Sequence, residues 1–187
     1  MTILVDMDEV LDQLLQAWIP YLNKRYGTDV KPDDVTGWWV TDFYPGLTRK
    51  QVYGVLNEDE LWETVKPVPG ASEGLQKLMA DGHDIFVVTN SNYKTIRAKM
   101  ERVLFRYFPF LSWDKVVLAT KKQMVRGDVL SDDGVHNLLG GDYHKILMDA
   151  PHNRAFNAEI NGMYRVFNWD DICRVINHIE QRNKSYV

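Results

Sequence analysis

Residues 1–15 read MTILVDMDEVLDQLL. A short apolar run, Ile3-Leu4-Val5, leads into Asp6-Met7-Asp8, and a second apolar-rich stretch follows at once. The run reads as a buried strand. Residues two apart in an extended segment point to the same side, so Asp6 and Asp8 are expected to leave the strand end together. Two carboxylates that close repel, and each raises the other's pKa. A divalent cation or a shared proton would offset that repulsion.

A helix is expected from about Leu11 to Tyr26, because Leu11, Leu14, Leu15, Trp18 and Leu22 recur at helical spacing. Gly27 is its stop signal. TDVKPDDVTGWWVTDFYPGLT, residues 28–48, is rich in turn formers and aromatics. RKQVYGVLNEDELWETV, residues 49–65, reads as a helix and a short connection. The prolines of Val65-Lys66-Pro67-Val68-Pro69-Gly70 stiffen a linker back to the main body.

Helices and strands then alternate. ASEGLQKLMADG is an amphipathic helix ending at Gly82, and YKTIRAKMERVLFRYF a long one. HDIFVVT, DKVVLAT, GDVLSDD and YHKILMDA read as strands, YRVFN as a last edge strand, and NWDDICRVINHIEQRN as the closing helix. Apolar strands separated by helices predict an α/β fold: a Rossmann-like, three-layer parallel sheet covered on both faces. The expected division is a core of residues 1–13 and 70–187, with a small, mostly helical cap, residues 14–69, inserted after the first strand.

At 187 residues the chain is long enough for such a core. Its net charge of −4 and pI near 5.7 argue against a generic binder of nucleic-acid polymers or membrane surfaces. A single cysteine, Cys173, excludes an internal disulfide, reads as a small core residue, and fits a reducing, cytoplasmic setting. No leader peptide or membrane-spanning run is expected.

Ligands of open α/β sheets bind at the carboxyl ends of the strands. Asp6 and Asp8 follow strand one, and Thr89, Asn90 and Ser91 follow the FVV strand. Lys122 follows VVLAT, and Asp132 and Asp133 follow DVL. Singly, each of these has a capping or solvated-turn explanation. Together, in order at four strand ends, they suit phosphoryl transfer. A carboxylate can attack phosphorus, and a second can protonate the leaving oxygen and later activate water. Magnesium takes oxygen ligands and would neutralise acids and phosphate together. A Thr hydroxyl, backbone N–H groups and a Lys would hold the other phosphoryl oxygens.

That ordered set resembles the haloacid-dehalogenase-like (HAD) phosphohydrolases, with DMDEV, VVTNS, Lys122 and SDD as their four motifs. DMDEVLD, GWWV, KPVPGA, VVLATKKQMVRGDVLSDD and ILMDAPHNR narrow the resemblance to the 5′(3′)-deoxyribonucleotidase family, over nearly the whole chain. The resemblance implies a magnesium-dependent phosphomonoesterase acting on deoxyribonucleoside 5′(3′)-monophosphates through an aspartyl-phosphate. It makes Asp6 the nucleophile and a metal ligand. Asp8 becomes the general acid/base, with its backbone carbonyl on the metal. Asp132 becomes a further ligand, and Asp133 supports the metal site. Thr89, Asn90 and Lys122 would bind phosphate. Trp38, Trp39 and Trp62 would form the nucleoside pocket, although packing inside the cap explains such aromatics equally well. A homodimer also becomes an expectation.

The chain departs from that family's pattern in places. Asn90-Ser91 stands where Ser-Pro is found, and Ser131 where an aliphatic residue is common. Leu14 and Leu56 fall at pocket positions that are aromatic elsewhere. His136, His144 and His152 lack zinc-ligand spacing and read as surface or loop residues, with His152 structural or at the rim. Lys94 reads as an exposed helix lysine. Arg97, Lys99, Arg102 and Arg106 read as a solvated basic helix face. Three alternatives stay open: the same chemistry on another small phosphate ester, a signalling receiver that accumulates aspartyl-phosphate, and an inactive phosphate- or nucleotide-binding protein.

Overall fold

The computed structural model describes residues 1–184. Six strands form one parallel sheet in the order β3-β2-β1-β4-β5-β6. They are β1 (Thr2–Val5), β2 (Asp84–Thr89), β3 (Val116–Leu118), β4 (Val129–Asp132), β5 (His144–Met148) and β6 (Met163–Val166). This is the expected HAD-like α/β sheet. YRVFN contributes the edge strand, shifted to begin at Met163.

The strand order reverses between β1 and β4, and this reversal sets the layers. Parallel crossovers are right-handed, so connections running outward in opposite directions lie on opposite faces. One face carries α4 (Ala71–Ala80), α8 (Trp169–Lys184) and the helix after β2; the other is covered more lightly, by the short α7 (Val135–Leu138) and by loops. Side chains of β1 alternate accordingly. Ile3 and Val5 join the larger apolar cluster, and Leu4 joins the smaller. Helices α4 and α8 touch at Gly74, where an added Cβ would stand 2.5 Å from Trp169 Cε3. The Trp169 indole is buried and donates to Val10 O at 2.9 Å, so the large ring is packed without an unsatisfied N–H.

Between β1 and α4 the chain makes an excursion through α1 (Leu14–Tyr26), α2 (Arg49–Gly54) and α3 (Asp59–Thr64). It leaves and returns at one place: Gln13 N–H donates to Lys66 O and Val68 N–H to Leu11 O. Helix α1 starts later than its periodicity predicts. The N–H groups of Val10, Leu11 and Asp12 all converge on Met7 O in a tight turn, so Leu11 packs below the helix rather than within it. Gly27 ends α1 at φ 67°, where glycine carries no Cβ penalty. Val35, Val40, Tyr44, Leu61 and Trp62 from the excursion belong to the same buried cluster as the sheet, so the apolar interior is continuous.

The long helix predicted after β2 is shorter and interrupted. It runs as α5 (Ile96–Ala98), a π-helical segment (Lys99–Leu104) and α6 (Phe105–Tyr107). Such π turns are rare and re-aim side chains. Cys173 is buried, as expected of a small core residue. No helix of the described residues is long and apolar enough to cross a membrane.

Candidate active site

Strands β1, β2 and β4 are adjacent, so their carboxyl ends meet at the point where the strand order reverses. A cavity of about 330 Å³ opens there. Asp6, Asp8, Asn90, Lys122, Asp133, Trp38 and Trp39 all line it. Thr89, Asp132 and Trp62 do not.

Oxygens of Asp6, Asp132 and Asp133 lie within 4.8 Å of one another, and all three residues are buried. Lys122 Nζ bridges two of them, 2.6 Å from Asp6 Oδ1 and 2.6 Å from Asp132 Oδ2. Asp6 Oδ1 also accepts from Met7 N–H at 2.7 Å. Its Oδ2 has no hydrogen bond and is the oxygen left for the cavity. Asp132 Oδ1 is used by Gly134 N–H at 2.7 Å and Asn137 Nδ2 at 3.0 Å. Gly134 lets the loop fold this closely, since a Cβ there would stand 2.8 Å from Asn137 Nδ2 and 3.0 Å from Asp132 Oδ1.

The acids of this cluster strongly perturb one another. Burial, then repulsion from Asp132, pushes the Asp6 pKa well above the carboxylate range despite Lys122. Burial raises Asp132 too. Burial works against the Lys122 ammonium, but Asp6 and Asp132 outweigh it and raise its pKa. Three acids share one full cation, and a further positive charge between them would remove the imbalance. An all-oxygen donor set of this kind fits a hard divalent ion such as magnesium.

Asp8 takes another position. Its carboxylate is outside the triad, and Oδ2 pairs with Lys99 Nζ at 2.6 Å. Oδ1 is buried with no partner. Lys99 corrects the sequence reading. It is 2% exposed rather than part of a solvated face, and it also donates to Thr89 Oγ1 at 2.9 Å. Arg97 and Arg106 are exposed as expected, whereas Arg102 is half-buried. Thr89 is fully buried, and its hydroxyl, while accepting from Lys99, keeps its own proton to donate.

Trp62 is corrected as well. It packs in the interior, donates its indole N–H to Leu56 O at 2.8 Å, and lies 5.9 Å from Lys99 Nζ. The cavity walls are instead Trp38, Trp39, Leu14, Leu56, Trp18 and Tyr53. Trp38 sets its ring against His136 at 4.3 Å and His152 at 5.3 Å between centroids. His152 is not a loose loop histidine: Nε2 lies 3.1 Å from Asp133 Oδ2 and its side chain is 8% exposed. Burial opposes its charged form, but the Asp133 hydrogen bond wins and raises its pKa. His136 is exposed at the cavity wall, His144 is exposed away from it, and Lys94 is exposed as expected.

Sequence reasoning passed over two further acids. Asp12 is fully buried with neither oxygen hydrogen-bonded, and burial, then repulsion from Asp8, raises its pKa. Glu9 lines the cavity and caps α1, accepting from Leu15 N–H at 2.7 Å. Burial pushes its pKa up to about 8. Glu9 has φ 59°, the one positive φ outside glycine among the described residues. The available signal was a third carboxylate, Glu9, directly after Asp6 and Asp8.

Comparison with known proteins adds an independent line. Residues 1–183 match the family model described as 5′ nucleotidase, deoxy (pyrimidine), cytosolic type C protein. The chain is 36% identical over 174 residues to the 5′(3′)-deoxyribonucleotidase of Bacillus subtilis (strain 168), covering 92% of this chain and 96% of that one. It is 29% identical over 156 residues to the 5′(3′)-deoxyribonucleotidase of Clostridium acetobutylicum, covering 83% and 86%. Among solved structures, it resembles a HAD family hydrolase from Deinococcus radiodurans R1, crystallised with bound phosphate and sodium. The TM-score is 0.67 at 13% identity, over 96% of each chain. A haloacid dehalogenase-like protein from Agrobacterium tumefaciens gives a TM-score of 0.65 at 16% identity, over 96% and 98%. These two likenesses bear on the fold.

Proposed function

The chain belongs to the 5′ nucleotidase, deoxy (pyrimidine), cytosolic type C family, and is a phosphoric monoester hydrolase; from that premise we propose that it dephosphorylates deoxyribonucleoside 5′(3′)-monophosphates with magnesium, in the cytoplasm. The observation that carries the reading is the division of labour between Asp6 and Asp8. Asp6 presents a free Oδ2 beside two further buried acids. Asp8, two residues on, turns its carboxylate to Lys99 instead.

In the first step Asp6 Oδ2 attacks phosphorus, the ester P–O bond breaks, and Asp8 gives its proton to the departing nucleoside oxygen. Lys99 holds Asp8 Oδ2, which leaves the unpartnered Oδ1 to carry that proton. In the second step water attacks the aspartyl-phosphate while Asp8 takes a proton back, and phosphate leaves. Thr89 Oγ1, Asn90 and Lys122 hold the phosphoryl oxygens. Magnesium, when bound by Asp6, Asp132 and the Asp8 carbonyl, with Asp133 in support, supplies charge neutralisation for the acids and the phosphate. The excursion 14–69 acts as the cap. Its Trp38 and Trp39 offer flat faces to the base, and closure excludes water from the reacting centre.

The test is phosphate release from a panel of deoxy- and ribonucleoside monophosphates and sugar phosphates, with magnesium or with EDTA, using Asp6→Asn as control. Best turnover of deoxynucleotides, dependent on magnesium and lost in the variant, is the expected result. Preference for sugar phosphates would retain the core chemistry and overturn the reading of the cap. A folded, magnesium-binding protein that turns over nothing would overturn the assigned chemistry and favour a binding protein.

A further inference from the structure

Glu9 has one oxygen committed and one free. Oε1 accepts the Leu15 N–H, which anchors the carboxyl to the start of α1. Oε2 makes no hydrogen bond, and the residue is half-buried in the cavity wall. The backbone holds this side chain at φ 59°. That conformation is strained for an L-residue, and such strain concentrates at functional sites. A cap alone does not require it, since Ser, Thr, Asp or Asn at Gln13 would cap α1 without strain.

The position of Glu9 follows from the reaction. Phosphorus must sit at Asp6 and the leaving oxygen at Asp8. Glu9 is the next residue, and it lines the same cavity as Asp6, Asp8, Trp38 and Trp39. We propose that Glu9 is a specificity residue that hydrogen-bonds the free hydroxyl of the leaving group's sugar; the inference rests on the nucleotidase reading above. A hydroxyl both donates and accepts, so it matches a carboxyl in either protonation state. A second phosphate or a carboxylate at that point would instead bring negative charge beside Asp8 and Asp133. The side chain thereby favours a neutral, hydroxyl-bearing leaving group.

The test compares kcat/KM within substrate pairs that differ by one hydroxyl. Thymidine 5′-monophosphate is set against its 3′-deoxy analogue, and glycerol 1-phosphate against propyl phosphate, all with magnesium. Wild type is expected to favour the hydroxyl-bearing member by about ten- to hundredfold, the worth of one buried hydrogen bond. Glu9→Gly removes the side chain and relaxes the positive φ, and is expected to erase that ratio. Glu9→Gln keeps the cap on Leu15 and an amide to face the hydroxyl, and is expected to retain part of it. The ratio is internal to each variant, so a general loss of fold or rate cannot imitate the result. If Glu9→Gly keeps the wild-type ratio, the proposal is overturned and Glu9 is only a helix cap. If nucleotides fail while glycerol phosphate is turned over, the nucleotidase reading falls separately, and the role of Glu9 is decided by the second pair.

Discussion

Lys99 Nζ lies 2.6 Å from Asp8 Oδ2, and the same nitrogen reaches Thr89 Oγ1 at 2.9 Å. One buried cation thus fixes both the proposed acid/base and a proposed phosphate donor. Lys99→Met is expected to lower kcat on the order of 10²-fold, at the lower end of what a positioned acid/base supplies. The loss should be greater for nucleoside substrates than for p-nitrophenyl phosphate, whose leaving group departs without a proton. Equal losses on both, with circular dichroism showing native fold, would sink the positioning role.

Stability of the metal-free protein should fall as pH rises. Burial lifts the Glu9 pKa from 4.5 to about 8, and lifts Asp6 and Asp12 well above 3.8. Each binds its proton more tightly when folded. Their contribution is therefore complete below the unfolded pKa and lost as pH climbs through the folded one. His152, also raised, acts in the same direction, while His83, lowered by burial, acts against it. In EDTA, Tm is expected to decline between about pH 4.5 and 8, and Glu9→Gln should flatten the decline. A Tm that climbs across this window would contradict the electrostatics. Added magnesium should recover stability at the high end.

Gly134 is the position where the acidic loop has no room to spare. A Cβ would press on Asn137 Nδ2 at 2.8 Å and Asp132 Oδ1 at 3.0 Å. Gly134→Ala is expected to weaken magnesium binding about tenfold or more, the usual effect of disturbing groups that orient ligands. Calorimetric titration with magnesium would check this. Unchanged affinity would mean that the loop shifts freely.

Trp38 is 44% exposed and rests edge-on against His136 and His152. Replacing it with Ala should raise KM for nucleoside monophosphates about tenfold, as loss of one base stack does. KM for acetyl phosphate, which has no base, should move little. Equal rises on both substrates would assign Trp38 to cap placement rather than base recognition.

Much of this molecule was legible in its sequence because strand ends are local features. An apolar run followed by Asp6, Thr89 or Asp132 states both the strand and its end, and the parallel order then brings those ends together. The gathering of Asp6, Lys122, Asp132 and Asp133 was therefore readable from their order at strand ends, whereas the expected pairing of Asp6 with Asp8 was not met, because Asp8 turns its carboxylate to Lys99. The directions of side chains on helices and loops were not. Lys99 sits in a run of basic residues that looks solvated, and its burial depends on which face of an interrupted helix packs inward. Trp62 and Trp38 are chemically alike, yet one fills the interior and the other lines the cavity. His152 gains its charge preference from Asp133, 19 residues away. The sequence by itself determined the sheet, the order of the motifs and the gathering of acids at the strand ends, because period and strand-end polarity are short-range. Only the tertiary structure decided which charges meet in the dry interior, because burial and pairing are properties of neighbours that the chain brings together from a distance.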